Sequence, residues 1–202
     1  MLKKVREVIS LAKDKESFFL HVASIYPVLD YRYGIIVKAY NDAKDAFRGR
    51  KRKGGDRYFE HLRAVALIVM LYLRVKDYRI IAAALLHDIV EDIKYWTIER
   101  VQIEYGSEIA TLVEWATKPY HLFSEKAECH RVYHCRFARA PRDFFIIKLA
   151  DRLHNLMTMW SVESENRSFK IKETRSHYLP YAEREIILVH ELEQALAELE
   201  KN

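Results

Sequence analysis

The stretch AAALLHDIVED, residues 82–92, combines a buried apolar run with a cluster of ionisable residues. Five apolar residues lead directly into His87 and Asp88, and Glu91 and Asp92 follow four residues later. Residues four apart lie over one another on a helix, so Glu91 stacks over His87 and Asp92 over Asp88. Three carboxylates in so apolar a stretch repel one another, and burying them is costly unless they bind a cation. The stretch therefore predicts a buried helix that carries a cation site.

The composition of the whole chain indicates one helical domain. Of its 202 residues, 50% are hydrophobic and 31% charged, with five Gly and four Pro. So few turn formers argue against a sandwich, a barrel or an alternating βα protein. No apolar run reaches the roughly 18 residues of a membrane span, no signal-type stretch is visible, and two cysteines cannot form a disulfide framework. We expect an all-α, single-domain, cytoplasmic protein with no membrane partner.

Apolar residues recur at three- and four-residue spacing through most of the chain, as in amphipathic helices. The pattern predicts helices at about 5–12, 16–28, 35–47, 58–73, 78–90, 97–117, 124–139, 143–159, 170–178 and 181–199. The basic segment RGRKRKGGD, residues 48–56, has no apolar face and is predicted to be an exposed loop. Residues 1–34 are predicted to form a helical extension, and residues 35–199 the main domain.

Four side chains with metal-binding groups lie in apolar surroundings. His61 precedes LRAVALIVMLYL, His87 and Asp88 follow AAALL, and Asp151 follows FFIIKLA. Any one of them alone is more often a core histidine or a helix cap. Two imidazoles and two carboxylates together suit a divalent transition metal. Because His61 and Asp151 come from separate helices, the set predicts a bundle with the ion in its core.

Three segments resemble a known family. RKRKGGDRYFEH (50–61), ALLHDIVED (84–92) and IKLADRLHNL (147–156) are similar to the signature segments of the RelA/SpoT hydrolase domain. That domain belongs to the HD superfamily of metal-dependent phosphohydrolases, and the resemblance covers roughly residues 35–195. It implies a helical bundle of the HD type that removes the 3′-pyrophosphate of (p)ppGpp, giving GDP or GTP. Since the sequence ends at Asn202, we expect a hydrolysis-only protein.

The same resemblance implies roles for individual residues. It assigns Glu91 and Asp92 to acid–base chemistry and Mn²⁺ as the usual ion. It implies that the metal ligands are His61, His87, Asp88 and Asp151. The residues expected to contact the guanine nucleotide are Arg52, Lys53, Asn155 and Thr158, and Lys148 is a further candidate to neutralise the pyrophosphates because of its charge.

Alternative functions remain open at this point. The chain departs from the family pattern around the nucleotide pocket, at Phe47, Gly54, Arg57, Leu62 and Met157. Another 3′-phosphorylated nucleotide, NADPH or a nucleoside monophosphate is therefore an alternative substrate. A non-catalytic nucleotide sensor or a nucleic-acid-binding module is a second class. The intact acidic pair favours an enzyme, and the basic loop lacks the interleaved aromatic residues of a nucleic-acid surface.

Two further groups of residues are interpreted as packing. Cys129, His130, His134 and Cys135 could be a second metal site, but the cysteines are six residues apart and lie off a shared helix face. Trp96, Trp115 and Trp160 are expected in the core or at its rim rather than as stacking platforms for bases.

Overall fold

The computed structural model describes residues 1–159 and 163–201. Within this part of the chain every regular element is a helix, apart from one antiparallel bridge between Lys51 and Arg57. The α-helices are α1 (Leu2–Ser10), α2 (Lys15–Ala23), α3 (Tyr31–Ala46), α4 (Tyr58–Leu67), α5 (Tyr78–Leu86), α6 (Ile89–Asp92), α7 (Ile98–Tyr105), α8 (Ser107–Ala116), α9 (Lys126–Arg136), α10 (Arg142–Met157), α11 (Ser164–His177), α12 (Leu179–Glu185) and α13 (Val189–Glu200).

Two helices form the centre of the bundle. In α5 all residues from Ile80 to Leu86 are buried, and α10 is buried along most of its length, including Lys148, Asp151 and Arg152. A helix that is buried on all sides belongs to the core. Helix α5 packs against α3, α4 and α8, whereas α10 packs against α4, α8 and α13. The prediction of an all-α bundle is confirmed.

Three predicted helices are interrupted, and each break has a local cause. The helix predicted at 78–90 ends at Leu86, and α6 begins only at Ile89. The helix predicted at 97–117 is two helices because Gly106 adopts a φ of +88°, which favours glycine. The helix predicted at 181–199 is split by left-handed residues at Ile186 and Leu188. These three predictions of single helices were wrong.

The break between α5 and α6 has a direct consequence for the site. Neighbouring side chains on a continuous helix point about 100° apart. His87 directly follows the last residue of α5, and Asp88 has φ −102° and ψ −1° before the chain turns into α6. Because the regular helix has ended at Leu86, the two adjacent side chains can face the same point, and His87 Nε2 lies 3.3 Å from Asp88 Oδ2.

The basic loop and the N-terminal helix are both tied to the bundle. Residues 48–56 are mostly exposed, as predicted, and the Arg52 guanidinium bonds to Asn155 and Thr158 at the end of α10. At the other end of the chain Arg6 of α1 forms a 2.6 Å ion pair with Glu198 of α13. The boundary at residue 34 stays a prediction. Among the described helices, none has the length and apolar character required to span a membrane.

Candidate metal centre and active site

Four side chains from three parts of the fold converge at one buried point. His61 comes from α4, His87 and Asp88 from the α5–α6 junction, and Asp151 from α10. His61 Nε2 lies 3.2 Å from Asp151 Oδ1 and 3.8 Å from Asp88 Oδ2. His87 Nε2 lies 3.3 Å from Asp88 Oδ2 and 3.7 Å from Asp151 Oδ1. The structure thus brings together the four residues that the sequence picked out as ligands.

The orientation of His87 fits a metal ligand. Its Nδ1 lies 2.8 Å from the Ala84 carbonyl oxygen, so the Nδ1–H donates and Nε2 is the atom that can bind a metal once it has lost its proton. That Nε2 atom is completely buried and has no hydrogen-bond partner. A buried polar atom without a partner is costly and calls for an ion or a water. Since His61, His87 and Asp88 offer atoms close enough for one ion, the donor set fits a divalent metal.

The charges at this point also favour a cation. Burial alone would lower the pKa of His87, but Asp88 and Asp151 outweigh it and raise the pKa to about 10. Burial would raise the pKa of Asp151, yet Lys148 and the two imidazoles hold it well below its usual range. The metal-free centre therefore keeps a proton on His87, and a bound metal replaces that proton.

His154 supports His61 from behind, and the sequence analysis did not single it out. The two Nδ1 atoms are 2.9 Å apart in the core. Burial lowers the pKa of both rings, so both stay neutral and one must donate to the other. When His61 Nε2 binds a metal, its Nδ1–H donates to His154 Nδ1. Such outer contacts fix the tautomer and the ring orientation of a ligand.

Removing this support should weaken metal binding. We expect His154→Leu to reduce metal affinity about 10- to 100-fold, because it leaves the His61 Nδ1–H buried without an acceptor. His154→Asn, whose side-chain oxygen can accept the same hydrogen bond, should retain most of the affinity. Calorimetric titration of the chelated protein measures both. Equal affinities for the leucine variant and the unaltered chain would contradict the assignment.

Tyr58 orients Asp88 through a hydrogen bond. Its hydroxyl donates to Asp88 Oδ2 at 2.8 Å, and its ring stacks on Phe47 with centroids 4.6 Å apart. Phe47, one of the departures from the family pattern, is thus buried against Tyr58, the residue that hydrogen-bonds to Asp88. Leu62, another departure, is fully buried in the core.

Lys148 and Asn155 both hold Asp151. Lys148 Nζ lies 2.9 Å from Asp151 Oδ2, and both side chains are buried. The Asn155 amide donates to Asp151 Oδ1, and its carbonyl oxygen accepts from Arg52. Asp151 Oδ1 therefore faces the two imidazoles while Oδ2 is neutralised by a cation. A chain of contacts also runs from the ligand to the basic loop.

The predicted acidic pair is divided between two partners. Glu91 accepts from the Lys118 backbone N–H at 2.9 Å and lies 3.0 Å from Lys118 Nζ, in a half-buried ion pair. Asp92 instead lies beside Tyr58, and burial together with the nearby Asp88 raises its pKa. The two carboxylates lie next to each other in sequence but in different electrostatic surroundings.

A cationic cleft opens beside Tyr58 and Asn155, the residues that hydrogen-bond to Asp88 and Asp151. It has a volume of about 570 Å³ and is lined by the basic loop, by the end of α10 and by α11. Of the predicted substrate contacts, Arg52, Lys53, Asn155 and Thr158 line it. Lys148 lies apart from them, buried against Asp151. The cleft is also lined by residues that the sequence did not assign to substrate binding, namely Lys51, Tyr58, Tyr120, Lys126, His130, Asn166, Phe169 and Lys170.

The signals for the missed residues differ in strength. Tyr58 and His154 each stand three residues from a predicted ligand on the same helix, so their position on its face could have been noticed. Lys118 is 27 positions from Glu91, and only the fold brings the two together. Of the tryptophans, Trp96 is buried and Trp115 is partly buried against Phe144, as expected. Trp160 lies outside the described residues.

Comparison with known families identifies the class of this chain. An HD domain profile, HD_4, matches residues 39–187, which is most of the sequence. The chain belongs to the HD domain family. The matched range contains all four converging side chains.

Several curated relatives share a large part of the chain. It is 37% identical over 185 residues, 91% of its length, to guanosine-3′,5′-bis(diphosphate) 3′-pyrophosphohydrolase of Aquifex aeolicus. It is 40% identical over 74% of its length to GTP pyrophosphokinase of Streptomyces coelicolor, and 36% identical over 80% to bifunctional (p)ppGpp synthase/hydrolase SpoT of Escherichia coli. It covers 25%, 18% and 23% of these three proteins, so it spans about a quarter or less of each.

A solved structure shares the fold. It is described as a metazoan ortholog of SpoT that hydrolyzes ppGpp and plays a role in starvation responses. The superposition has a TM-score of 0.74 at 24% identity and covers 81% of this chain and 94% of the other. The HD-type helical bundle expected from the sequence is confirmed.

Proposed function

We propose that this chain hydrolyses the 3′-pyrophosphate of ppGpp and pppGpp, releasing pyrophosphate and giving GDP or GTP. The observation that carries the proposal is the convergence of His61, His87, Asp88 and Asp151 beside a cationic cleft. Relatives named for this reaction match most of the chain, which supports the choice of substrate.

The metal proposed for this centre is Mn²⁺. Two imidazoles and two carboxylates form a mixed nitrogen and oxygen set that suits such an ion. A bound divalent ion would lower the pKa of water and neutralise charge on a phosphoryl oxygen. The residues that would hold it are His61, His87, Asp88 and Asp151.

The acidic pair is assigned to proton transfer. In the reaction a water oxygen bonds to phosphorus, the bond from phosphorus to the 3′ oxygen breaks, and that oxygen takes up a proton. Asp92, whose pKa is raised by burial and by Asp88, is suited to receive the proton of the water. Glu91, held by Lys118 in a fixed position, is proposed to orient the reacting groups and to assist protonation of the leaving oxygen.

The cleft is proposed to bind the nucleotide phosphates. Arg52 is already fixed by Asn155 and Thr158, so its guanidinium is held at the mouth of the site. Lys53 lies on the exposed part of the same loop. A fork of fixed donors suits a pyrophosphate better than a flexible chain does. Lys148 is proposed to act through Asp151 rather than on the substrate, because it is buried against that ligand.

The charge on Lys170 is expected to make nucleotide binding in the cleft depend on pH. Burial and the nearby Arg152 lower its pKa from the usual 10.5 to about 8. Its positive charge is complete well below pH 8 and is lost as the pH rises through that value. We therefore expect the KM for an anionic nucleotide to rise about 10- to 100-fold between pH 7 and pH 9, the loss of one charged hydrogen bond.

Two variants test this dependence. Lys170→Met should have the raised KM already at pH 7 and little further change, whereas Lys170→Arg should keep a low KM at pH 9. Steady-state kinetics at several pH values measure all three proteins. A KM of the unaltered chain that does not change with pH, or the same pH profile in the methionine variant, would contradict the prediction.

The function itself is tested by product release. Chelated protein is loaded with Mn²⁺ and incubated in turn with ppGpp, GTP, deoxynucleoside monophosphates and NADPH, and the products are separated. We expect pyrophosphate from ppGpp and its loss on renewed chelation. Turnover of only one of the other compounds would assign another nucleotide. Binding of ppGpp without turnover would indicate a sensor, and salt-dependent RNA or DNA binding without turnover a nucleic-acid module.

A cytoplasmic location is proposed on the state of the cysteines. Cys129 and Cys135 are both free thiols, one buried and one exposed. Free thiols are typical of reducing compartments.

A further inference from the structure

A second group of buried polar atoms lies where α9, α10 and α11 meet. Among the described residues, six buried side-chain atoms have no hydrogen-bond partner, and one of them is His87 Nε2 at the metal centre. The other five belong to His134, Arg152, Glu173 and Tyr178. A buried polar group without a partner calls for a bound species. Of these groups His134 Nε2 and Glu173 Oε1 can bind a cation, whereas the Arg152 nitrogens are donors that cannot. Two of these atoms, His134 Nε2 and Glu173 Oε1, face each other.

The histidine–carboxylate distances at this place resemble those of the metal centre, although the two imidazole nitrogens lie farther apart than the 4.8 Å that groups the atoms at His61, His87 and Asp88. Glu173 Oε1 lies 3.4 Å from His134 Nε2 and 3.4 Å from His130 Nδ1. These separations fall within the 3.2–3.8 Å range between imidazole nitrogens and carboxylate oxygens at the catalytic site. Glu173 and His134 are 5% and 8% exposed, so both ligand groups are buried.

We propose that His130 Nδ1, His134 Nε2 and Glu173 Oε1 form a second site for a divalent transition metal, separate from the catalytic centre. The two histidines stand one turn apart on α9, and the carboxylate comes from α11. Binding of one ion to both imidazoles requires the partly exposed His130 ring to move toward His134. Two imidazoles and one carboxylate, with a further position for water, suit Zn²⁺ or Co²⁺ better than Mn²⁺.

The surrounding residues prepare these atoms as ligands. The Tyr120 hydroxyl lies 2.9 Å from His130 Nε2, so the tautomer with a proton on Nε2 donates to it and leaves the Nδ1 lone pair for a metal. Arg152 and Lys170 both pair with Glu173 Oε2, at 2.9 and 2.7 Å, which leaves Oε1 for the ion. Burial alone would raise the pKa of Glu173, but its contacts with the histidines and the two cations keep that pKa well below its usual range.

Access and charge set the strength of this site. An open cleft of about 980 Å³ reaches His130, His134 and Glu173 from solvent. Only one carboxylate is present, and Arg152 and Lys170 repel a metal ion, so we expect weaker binding than at the catalytic centre. His130 and Lys170 also line the substrate cleft, so an ion here would join α9 to α11 in the wall of that cleft.

The sequence offered His130 and His134 only together with Cys129 and Cys135, and that group was interpreted as packing. Cys129 is buried and Cys135 is exposed, and both are free. Their spacing argued against a site, but the third ligand proposed here comes from a helix some forty residues away. No local pattern contains that information.

The test is metal stoichiometry, which does not depend on activity. The full chain, without a histidine tag, is chelated and then titrated with Zn²⁺ by calorimetry and with Co²⁺ by visible absorption. We expect a tight first equivalent and a weaker second one. In His130→Gln/His134→Leu the second equivalent should disappear and the first remain. The exposed His190→Gln, on α13, is the matched control and should retain both.

A second measurement distinguishes loss of the second metal site from loss of the fold. Zn²⁺ added beyond the first equivalent, to about 100 times the second Kd, should raise the Tm of the unaltered chain by roughly 5–10 °C. Circular dichroism reports whether the double variant folds; if it does not, His130→Gln alone is titrated and should lose the second equivalent. A single equivalent in the unaltered chain, or a second one that persists in these variants, overturns the proposal.

Discussion

Replacement of Asp151 by alanine is expected to abolish metal binding and to lower kcat/KM at least about 10³-fold, because a bound ion supplies several kcal/mol to such a reaction. The same change should destabilise the fold. Lys148 would lose its partner at 2.9 Å in a nearly dry environment. An unpaired buried charge costs about 3–5 kcal/mol, so the free energy of unfolding in urea should fall by that amount.

Two controls separate these effects. Lys148→Met in the Asp151→Ala background removes the unpaired cation and should recover most of the stability without restoring the metal. Asp45→Ala, which breaks the exposed Arg48–Asp45 pair, should cost at most about 0.5 kcal/mol and leave the metal in place. An Asp151→Ala protein that still binds the ion and turns over substrate would refute the ligand assignment.

Glu91→Gln is expected to keep the metal but to lower kcat by about 10²- to 10⁴-fold, the usual contribution of a positioned acid or base. The reason is that the hydrogen bonds recorded for its carboxylate among the described residues go to Lys118 and not to the four proposed metal ligands. Metal content by elemental analysis and turnover at saturating substrate measure the two quantities separately.

The Lys118 contact provides a further test of this role. If Lys118 acts by placing Glu91, Lys118→Met should also lower kcat, and the double variant should be no slower than Glu91→Gln alone. Additive losses would instead mean that the two residues act independently. Full turnover by metal-loaded Glu91→Gln would exclude Glu91 from the reaction.

The sequence predicted the helical architecture well because the apolar spacing reports which faces are buried. It failed where single residues set the backbone. Gly106 divides one predicted helix, and the left-handed conformations of Ile186 and Leu188 divide another. Neither Ile nor Leu is a typical residue for that conformation, so packing around them, and not local preference, determines the turn.

The site was predictable to the extent that its residues stand in unusual surroundings. His87, Asp88 and Asp151 were conspicuous because polar groups seldom follow such apolar runs. Lys118 and Glu173 were not, because each meets its partners only through tertiary contacts across 27 and about 40 positions. Lys148 was taken for a substrate contact because of its charge, and its burial against Asp151 could be seen only in the fold.

The Lys148–Asp151 pair also affects the stability of the protein when no ion is bound. One carboxylate at the centre is already balanced by an internal cation, and another is balanced by the proton on His87. The scaffold is therefore expected to stay folded after chelation, unlike small zinc domains that collapse without metal. If the proposed hydrolysis holds, ion supply would serve as a reversible control of turnover, with no refolding step between the metal-free and the metal-loaded protein.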